Sequence, residues 1–107
     1  MLRMQLKDGR YSAVLICDAC EQRINDAYHA NAVFARGSGS ELLEVFHVHK
    51  GACDRRLQTR VEGNDEVTGA EELTTHLVHL THNCGFPADK LAEHTRFLDE
   101  RDEMGQL

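Results

Sequence analysis

Two stretches decide the fold: Val14-Leu15-Ile16-Cys17-Asp18-Ala19-Cys20 and Phe46-His47-Val48-His49-Lys50-Gly51-Ala52-Cys53. The first carries a C-x-x-C pair, Cys17 and Cys20, and the second an H-x-x-x-C pair, His49 and Cys53. Zinc takes four soft ligands of this kind in a tetrahedron, with thiolate and imidazole preferred. A single C-x-x-C pair says little by itself. Here three of the chain's four cysteines fall in these two stretches. A shared metal ion accounts for that clustering, whereas the alternative, two buried cysteines and surface histidines, must explain it separately. His47 stands two residues before His49, so the choice of imidazole is open. His49 is favoured because it lies nearer Gly51. The spacing does not distinguish zinc from iron.

Outward from these pairs the chain alternates. Tyr11 to Ile16 reads as a short strand rich in apolar residues. It runs into Cys17, where the backbone must turn so that both sulfurs face one point, as in a zinc knuckle. Ahead of it, residues 1–10 end in a turn signal, Asp8-Gly9-Arg10. Ile24 to Ala35 has a period of two, which argues strand. Arg36-Gly37-Ser38-Gly39-Ser40 is a flexible turn. Glu41 to His49 alternates again, with Leu43, Val45, His47 and His49 on one face and Leu42, Glu44, Phe46 and Val48 on the other. Residues 24–49 are therefore expected to form a β-hairpin. Gly51 permits a sharp turn. Cys53 to Arg60 is good helix sequence, with Cys53 in the first turn, where the helix dipole favours a thiolate.

The second half has a helical pattern. Gly63-Asn64-Asp65 ends the preceding helix and opens a linker. Thr68 and Glu71 fit a capping box, which predicts a helix from Gly69 to Cys84 with Leu73, Leu77, Leu80 and Cys84 on one stripe. Gly85 stops it, and Pro87 opens a further helix to about Asp102, with Leu91, Thr95 and Leu98 inside. The short link predicts a helical hairpin sealed by Leu73, Leu77 and Leu80 against Leu91 and Leu98. His76, His79 and His82 step round toward solvent and read as surface or half-buried residues. Cys84 reads as a small buried hydrophobe. The tail, residues 99–107, is expected to fray.

The order of knuckle, β-hairpin and ligand pair at a helix start resembles the treble-clef group of zinc fingers. The resemblance runs from Ala13 to Arg60 and rests on Cys17, Cys20, His49 and Cys53. Members of that group mostly place a close pair such as C-x-x-C at the helix start, and H-x-x-x-C departs from this. The resemblance implies a structural zinc, because four protein ligands close the shell and leave no position for substrate or water. The group hosts nucleic-acid binders, protein-binding modules and nucleases, so it does not name a function.

Composition narrows the field. The chain has 107 residues, no Trp and six aromatic residues, so its core is modest and a structural metal is a common remedy. Residues 1–62 carry nine Lys/Arg and eight Asp/Glu, and residues 63–107 three and ten, which concentrates the net charge of −6 in the second half. An acidic half is a poor partner for phosphates. No apolar run approaches a membrane span, and the start lacks the apolar stretch of a signal peptide. A cytoplasmic location with reduced thiols is expected. A thioredoxin-like redox site would use Cys17 and Cys20, but such a site also wants a helix after the cysteines and a proline near them. The one proline is Pro87. A treble-clef nuclease could use His47 as a base, but Asp54, Arg55 and Arg56 do not supply the partner residues.

The sequence thus predicts an α+β chain with a zinc-binding β-rich domain over 1–62 and a helical hairpin appendage with an acidic tail over 63–107. The expected role is structural zinc in a protein-interaction module, a reading preferred to an enzyme without closing that alternative. The partner would be another protein or a second copy, bound through the helical hairpin. The alternatives are nucleic-acid binding through Lys50, Arg55, Arg56 and Arg60, and thiol-redox chemistry at Cys17 and Cys20.

Overall fold

Asp8 and Gly9 both adopt positive φ, 52° and 76°. Such a pair makes the tight two-residue turn that twists as strands do. It joins β1 (Leu2–Lys7) to β2 (Arg10–Leu15) as an antiparallel ribbon in which Lys7 faces Arg10 and Leu2 faces Leu15. The expected turn is present. β1 was not expected, although Leu2, Met4 and Leu6 alternate with Arg3, Gln5 and Lys7. The computed structural model describes residues 1–36, 44–63 and 67–105. The predicted turn at Arg36–Ser40 falls almost wholly outside them, as do Asn64 and Asp65 of the predicted linker.

A three-stranded sheet carries the rest of the first half, in the order β4-β3-β5. β3 (Ala30–Arg36) pairs antiparallel with β4 (Glu44–His49), with Ala30 opposite His49 and Ala32 opposite His47. The hairpin is shorter than the expected span from residue 24. Asp26 accepts a hydrogen bond from the Tyr28 backbone N–H and caps a 3-10 turn over Ala27–His29, so strand geometry begins only at Ala30. Beyond β4, Gly51 takes φ 85° and ψ −122° and stands just before α1 (Ala52–Glu62).

The largest correction is at residues 67–72. The capping-box reading made them the start of a helix, but they form β5 (Val67–Glu72), antiparallel to β3, with Val33 opposite Ala70 and Asn31 opposite Glu72. Local sequence offered Thr68 and Glu71 as a cap. The free edge of β3 offered a full row of backbone partners, and satisfying buried backbone groups outweighs a cap. Helix α2 (Leu73–Asn83) starts where β5 ends, and α3 (Ala88–Gly105) follows Pro87 and runs past the expected end near Asp102.

Register places Asn31, Val33 and Ala35 on one face of β3 with Phe46 and Val48 of β4. α1 covers that face through Leu57 and Val61, its buried residues four apart. The opposite face carries Ala32, Phe34 and His47 and meets His76 of α2, whose ring centroid lies 5.9 Å from that of Phe34 and 5.7 Å from that of His47. Among the described residues, Leu57, Leu73, Val33, Val48 and Cys17 are the largest fully buried side chains. Burial of one leucine contributes about 1.5–3 kcal/mol.

Two compact units result, Met1–His76 and Leu77–Leu107. The second does not have the expected sealed seam. Leu80, Leu91 and Leu98 remain 51%, 40% and 53% exposed, and Cys84 is exposed rather than buried. Leu73, expected in that seam, is fully buried in the first unit.

Gly51 provides a clean test of local strain. A Cβ built there meets no atom within 4 Å, so only backbone conformation opposes a side chain. Gly51→Ala is expected to cost about 1–3 kcal/mol without any clash, measured as a shift in the denaturation midpoint of metal-loaded protein.

Candidate metal centre

Cys17 follows β2 after a single residue, Ile16. Ile16 bridges Arg23, the Cys17 N–H donates to the Gln22 carbonyl at 2.8 Å, and the Glu21 N–H returns to the Cys17 carbonyl at 2.9 Å. This closes residues 17–22 into a tight loop. Glu21 sits at φ 62°, an unusual conformation for a residue with a side chain. Inside the loop the Ala19 N–H donates to Cys17 Sγ at 3.4 Å.

Asp18 fastens this loop to the sheet. Its N–H donates to the His47 carbonyl, and its Oδ2 accepts from the His47 N–H, both at 2.8 Å. The same oxygen meets the Met1 amino group at 3.0 Å. From the other side, Arg56 and Arg60, one turn apart on α1, donate to the carbonyls of Ala19 and Asp18 at 3.4 Å. Asp54 on the same helix accepts from Asn31 of β3 at 2.6 Å and also from Gln58, which fixes the helix against the sheet.

The second pair arrives on β4 and α1. His49 is the last residue of β4, and Gly51 turns the chain so that Cys53 falls in the first turn of α1. Cys17, Cys20, His49 and Cys53 each present a ligand atom, and these atoms all lie within 4.8 Å of one another. His49 Nδ1 is 3.4 Å from Cys20 Sγ. A tetrahedral zinc with ordinary bond lengths sets N and S about 3.6 Å apart and two S about 3.8 Å apart. The spacing fits a Cys3His site and is compatible with a bound metal ion, and the four cysteines are free thiols. It is the only such group of His, Cys, Asp and Glu among the described residues.

Electrostatics favours the same reading. Burial pushes the Cys17 thiol up, but N–H groups of Cys20, His49 and Ala19, with the Cys20 thiol, outweigh it and bring it down to about 6. Cys53 is pushed up to about 11, by burial and then by the neighbouring Cys17 and Cys20 sulfurs. The first thiolate forms readily and the last resists, because negative sulfurs this close repel without a cation between them. A divalent ion removes that repulsion.

The structure separates the two candidate imidazoles. His47 lies outside the group of four, against His76, while His49 joins the cysteines. The His47 imidazole is held below its ordinary pKa by burial first, then by the Met1 amino group and His76, with Asp18 opposing. Its Nδ1 is buried without a hydrogen-bond partner, alone among the described side chains. His76 binds Glu71 through Nδ1 at 2.9 Å and is half-buried, and His79 and His82 are exposed, in line with the sequence reading. Sequence reasoning missed Asp18, Arg56 and Arg60 as supports of the knuckle. Asp18 lies between the two cysteines, and that was the available signal.

No protein-family model matches the chain, and comparison with curated proteins and with solved structures finds none similar to it.

Proposed function

We propose that this protein is a small structural-zinc protein of the treble-clef kind, serving as a protein-interaction module. The observation that carries the metal reading is the convergence of Cys17, Cys20, His49 and Cys53, with ligand atoms within 4.8 Å of one another. Two ligands come from the knuckle, one from the end of the β-hairpin and one from the first turn of the following helix. Four protein ligands close a tetrahedral shell, so the zinc holds the fold and binds no substrate. A reducing compartment such as the cytoplasm keeps such thiols available to a metal.

Nucleic-acid binding is the weaker reading. Of the four cations it needs, Lys50 is paired with Glu72, and Arg56 and Arg60 hold the knuckle carbonyls. Thiol-redox chemistry would use Cys17 and Cys20 and leave the convergence of His49 and Cys53 without a purpose. No helix among the described residues is long and apolar enough to cross a membrane.

Elemental analysis of protein never exposed to chelator should find one zinc per chain. His49→Ala should lower that content and His47→Ala should leave it intact. Metal well below one per chain in the unaltered protein would remove the basis for this reading.

A further inference from the structure

The knuckle closes on itself before it meets the sheet. The Cys17 N–H donates to the Gln22 carbonyl, and the Glu21 N–H donates back to the Cys17 carbonyl. Both bonds stay within residues 17–22, so this loop holds its own shape. What seats it on the rest of the first unit is a separate set of contacts.

Asp18 makes the short ones. β4 is an outer strand of the β4-β3-β5 sheet. At its edge the Asp18 N–H donates to the His47 carbonyl, and Asp18 Oδ2 accepts from the His47 N–H, both at 2.8 Å. A neighbouring antiparallel strand would exchange the same two bonds with His47. The ties from α1 are longer. Arg56 and Arg60 reach the carbonyls of Ala19 and Asp18 at 3.4 Å, from exposed positions.

This grip lies at the seam between the two ligand pairs. Asp18 stands between Cys17 and Cys20 in the chain, and His47 stands two residues before His49. His49 ends β4, and Cys53 sits in the first turn of α1. Parting Asp18 from His47 therefore parts Cys17 and Cys20 from His49 and Cys53, and leaves each pair intact. Cys20, His49 and Cys53 are half-buried, so the seam runs near the surface of the unit rather than through its core.

We propose that Asp18 is the positioning residue of the metal centre, and that the metal leaves when the knuckle lifts from β4, with Asp18 as the latch. The proposal rests on the structural-zinc reading above. Asp18 lies outside the group of four ligands. It acts by holding the two pairs at the mutual spacing that a tetrahedral ion needs. Outer groups that fix ligands in this way carry about 10–100-fold of metal affinity. A local opening of this kind costs less than unfolding the whole unit and proceeds independently of it.

The test is the rate at which full-length, zinc-loaded protein loses its metal to excess chelator. Asp18→Ala should release zinc at least about tenfold faster than the unaltered chain, and bind it at least about tenfold more weakly. Asp18→Asn keeps a carbonyl oxygen at the same reach and should recover most of both. Cobalt in place of zinc should give one tetrahedral Cys3His spectrum in all three proteins, because the ligands are unchanged. Leu73→Ala is the control. It weakens the same unit from β5, at the opposite edge of the sheet, and should release zinc as the unaltered chain does. Hydrogen exchange supplies a readout that needs no variant. In the unaltered zinc-loaded chain the Asp18 and His47 amides should exchange faster than the Val33 amide of the central strand. Release and affinity unchanged in Asp18→Ala would overturn the proposal. Equal acceleration in Leu73→Ala, or Asp18 and His47 amides as protected as Val33, would also overturn it, since the metal would then leave through unfolding of the whole unit. These outcomes leave the structural-zinc reading standing. An unaltered chain that binds no zinc would overturn that reading and this proposal with it.

Discussion

Cys20→Ser is expected to unfold the first unit, residues 1–76. The magnitude follows from comparing what the metal contributes with what else holds the unit. Structural zinc in finger peptides contributes about 10–16 kcal/mol at neutral pH, and a whole small domain is stable by only about 5–15 kcal/mol. Among the described residues, the side chains that reach full burial include only two leucines, with valines, alanines and Cys17 making up most of the rest. Serine keeps the shape of cysteine but is a poor zinc ligand, so the change removes the bond and little else. It also leaves the knuckle tied to β4 and α1 by the hydrogen bonds of Asp18, Arg56 and Arg60, with no metal bond to support them. Chelation should act in the same way, with the added repulsion of thiolates crowded within 4.8 Å. Hydrogen exchange reads the result residue by residue. Amides of β3 and β4 should lose their protection in the variant and in chelated protein. Protection equal to that of the metal-loaded form would mean that the β4-β3-β5 sheet organises itself, and the metal would then need a regulatory or catalytic role.

How much of this was legible in the sequence depended on how local the cause was. Cys17, Cys20, His49 and Cys53 could be picked out because ligand spacing and residue type are printed in the chain, and the structure brings the four together. The Asp8-Gly9 turn and the helix after Gly51 were legible for the same reason: positive φ and helix propensity are properties of a few neighbouring residues. β5 was not legible. Val67 to Glu72 is a strand because β3 has a free edge 31 or more residues earlier in the chain, and no window around Thr68 contains that fact. The choice between His47 and His49 was open for a similar reason. Both lie on one face of β4, and they part only in the fold, where His47 meets His76 and His49 stands with the cysteines. The helical stripe misled in a third way. Period alone assigned Leu73 and Leu91 to one seam, whereas Leu73 is buried in the first unit and Leu91 is not buried at all.

That last difference carries the second large effect. Leu73→Ala is expected to destabilise the first unit by about 2–5 kcal/mol, the usual cost of emptying a leucine site in a core. Leu73 is 1% exposed and stands at the junction of β5 and α2. Its removal both opens a cavity and loosens the point where the third strand of the sheet hands over to the helix. The spread of the expected cost reflects how far the surrounding side chains can relax into the space. The comparison is Leu98→Ala, at a side chain 53% exposed in the same predicted seam. In dilute, monomeric, zinc-loaded protein it should cost less than about 1 kcal/mol, as changes at surface positions do. Denaturant midpoints at fixed metal concentration separate the two cases. Equal and large losses at both positions would mean that Leu98 is covered in solution, and the helical unit would then have a sealed seam of its own. A large loss at Leu73 alone places the boundary of the folded core at the first turn of α2, and leaves the apolar residues of α3 for a partner to bury.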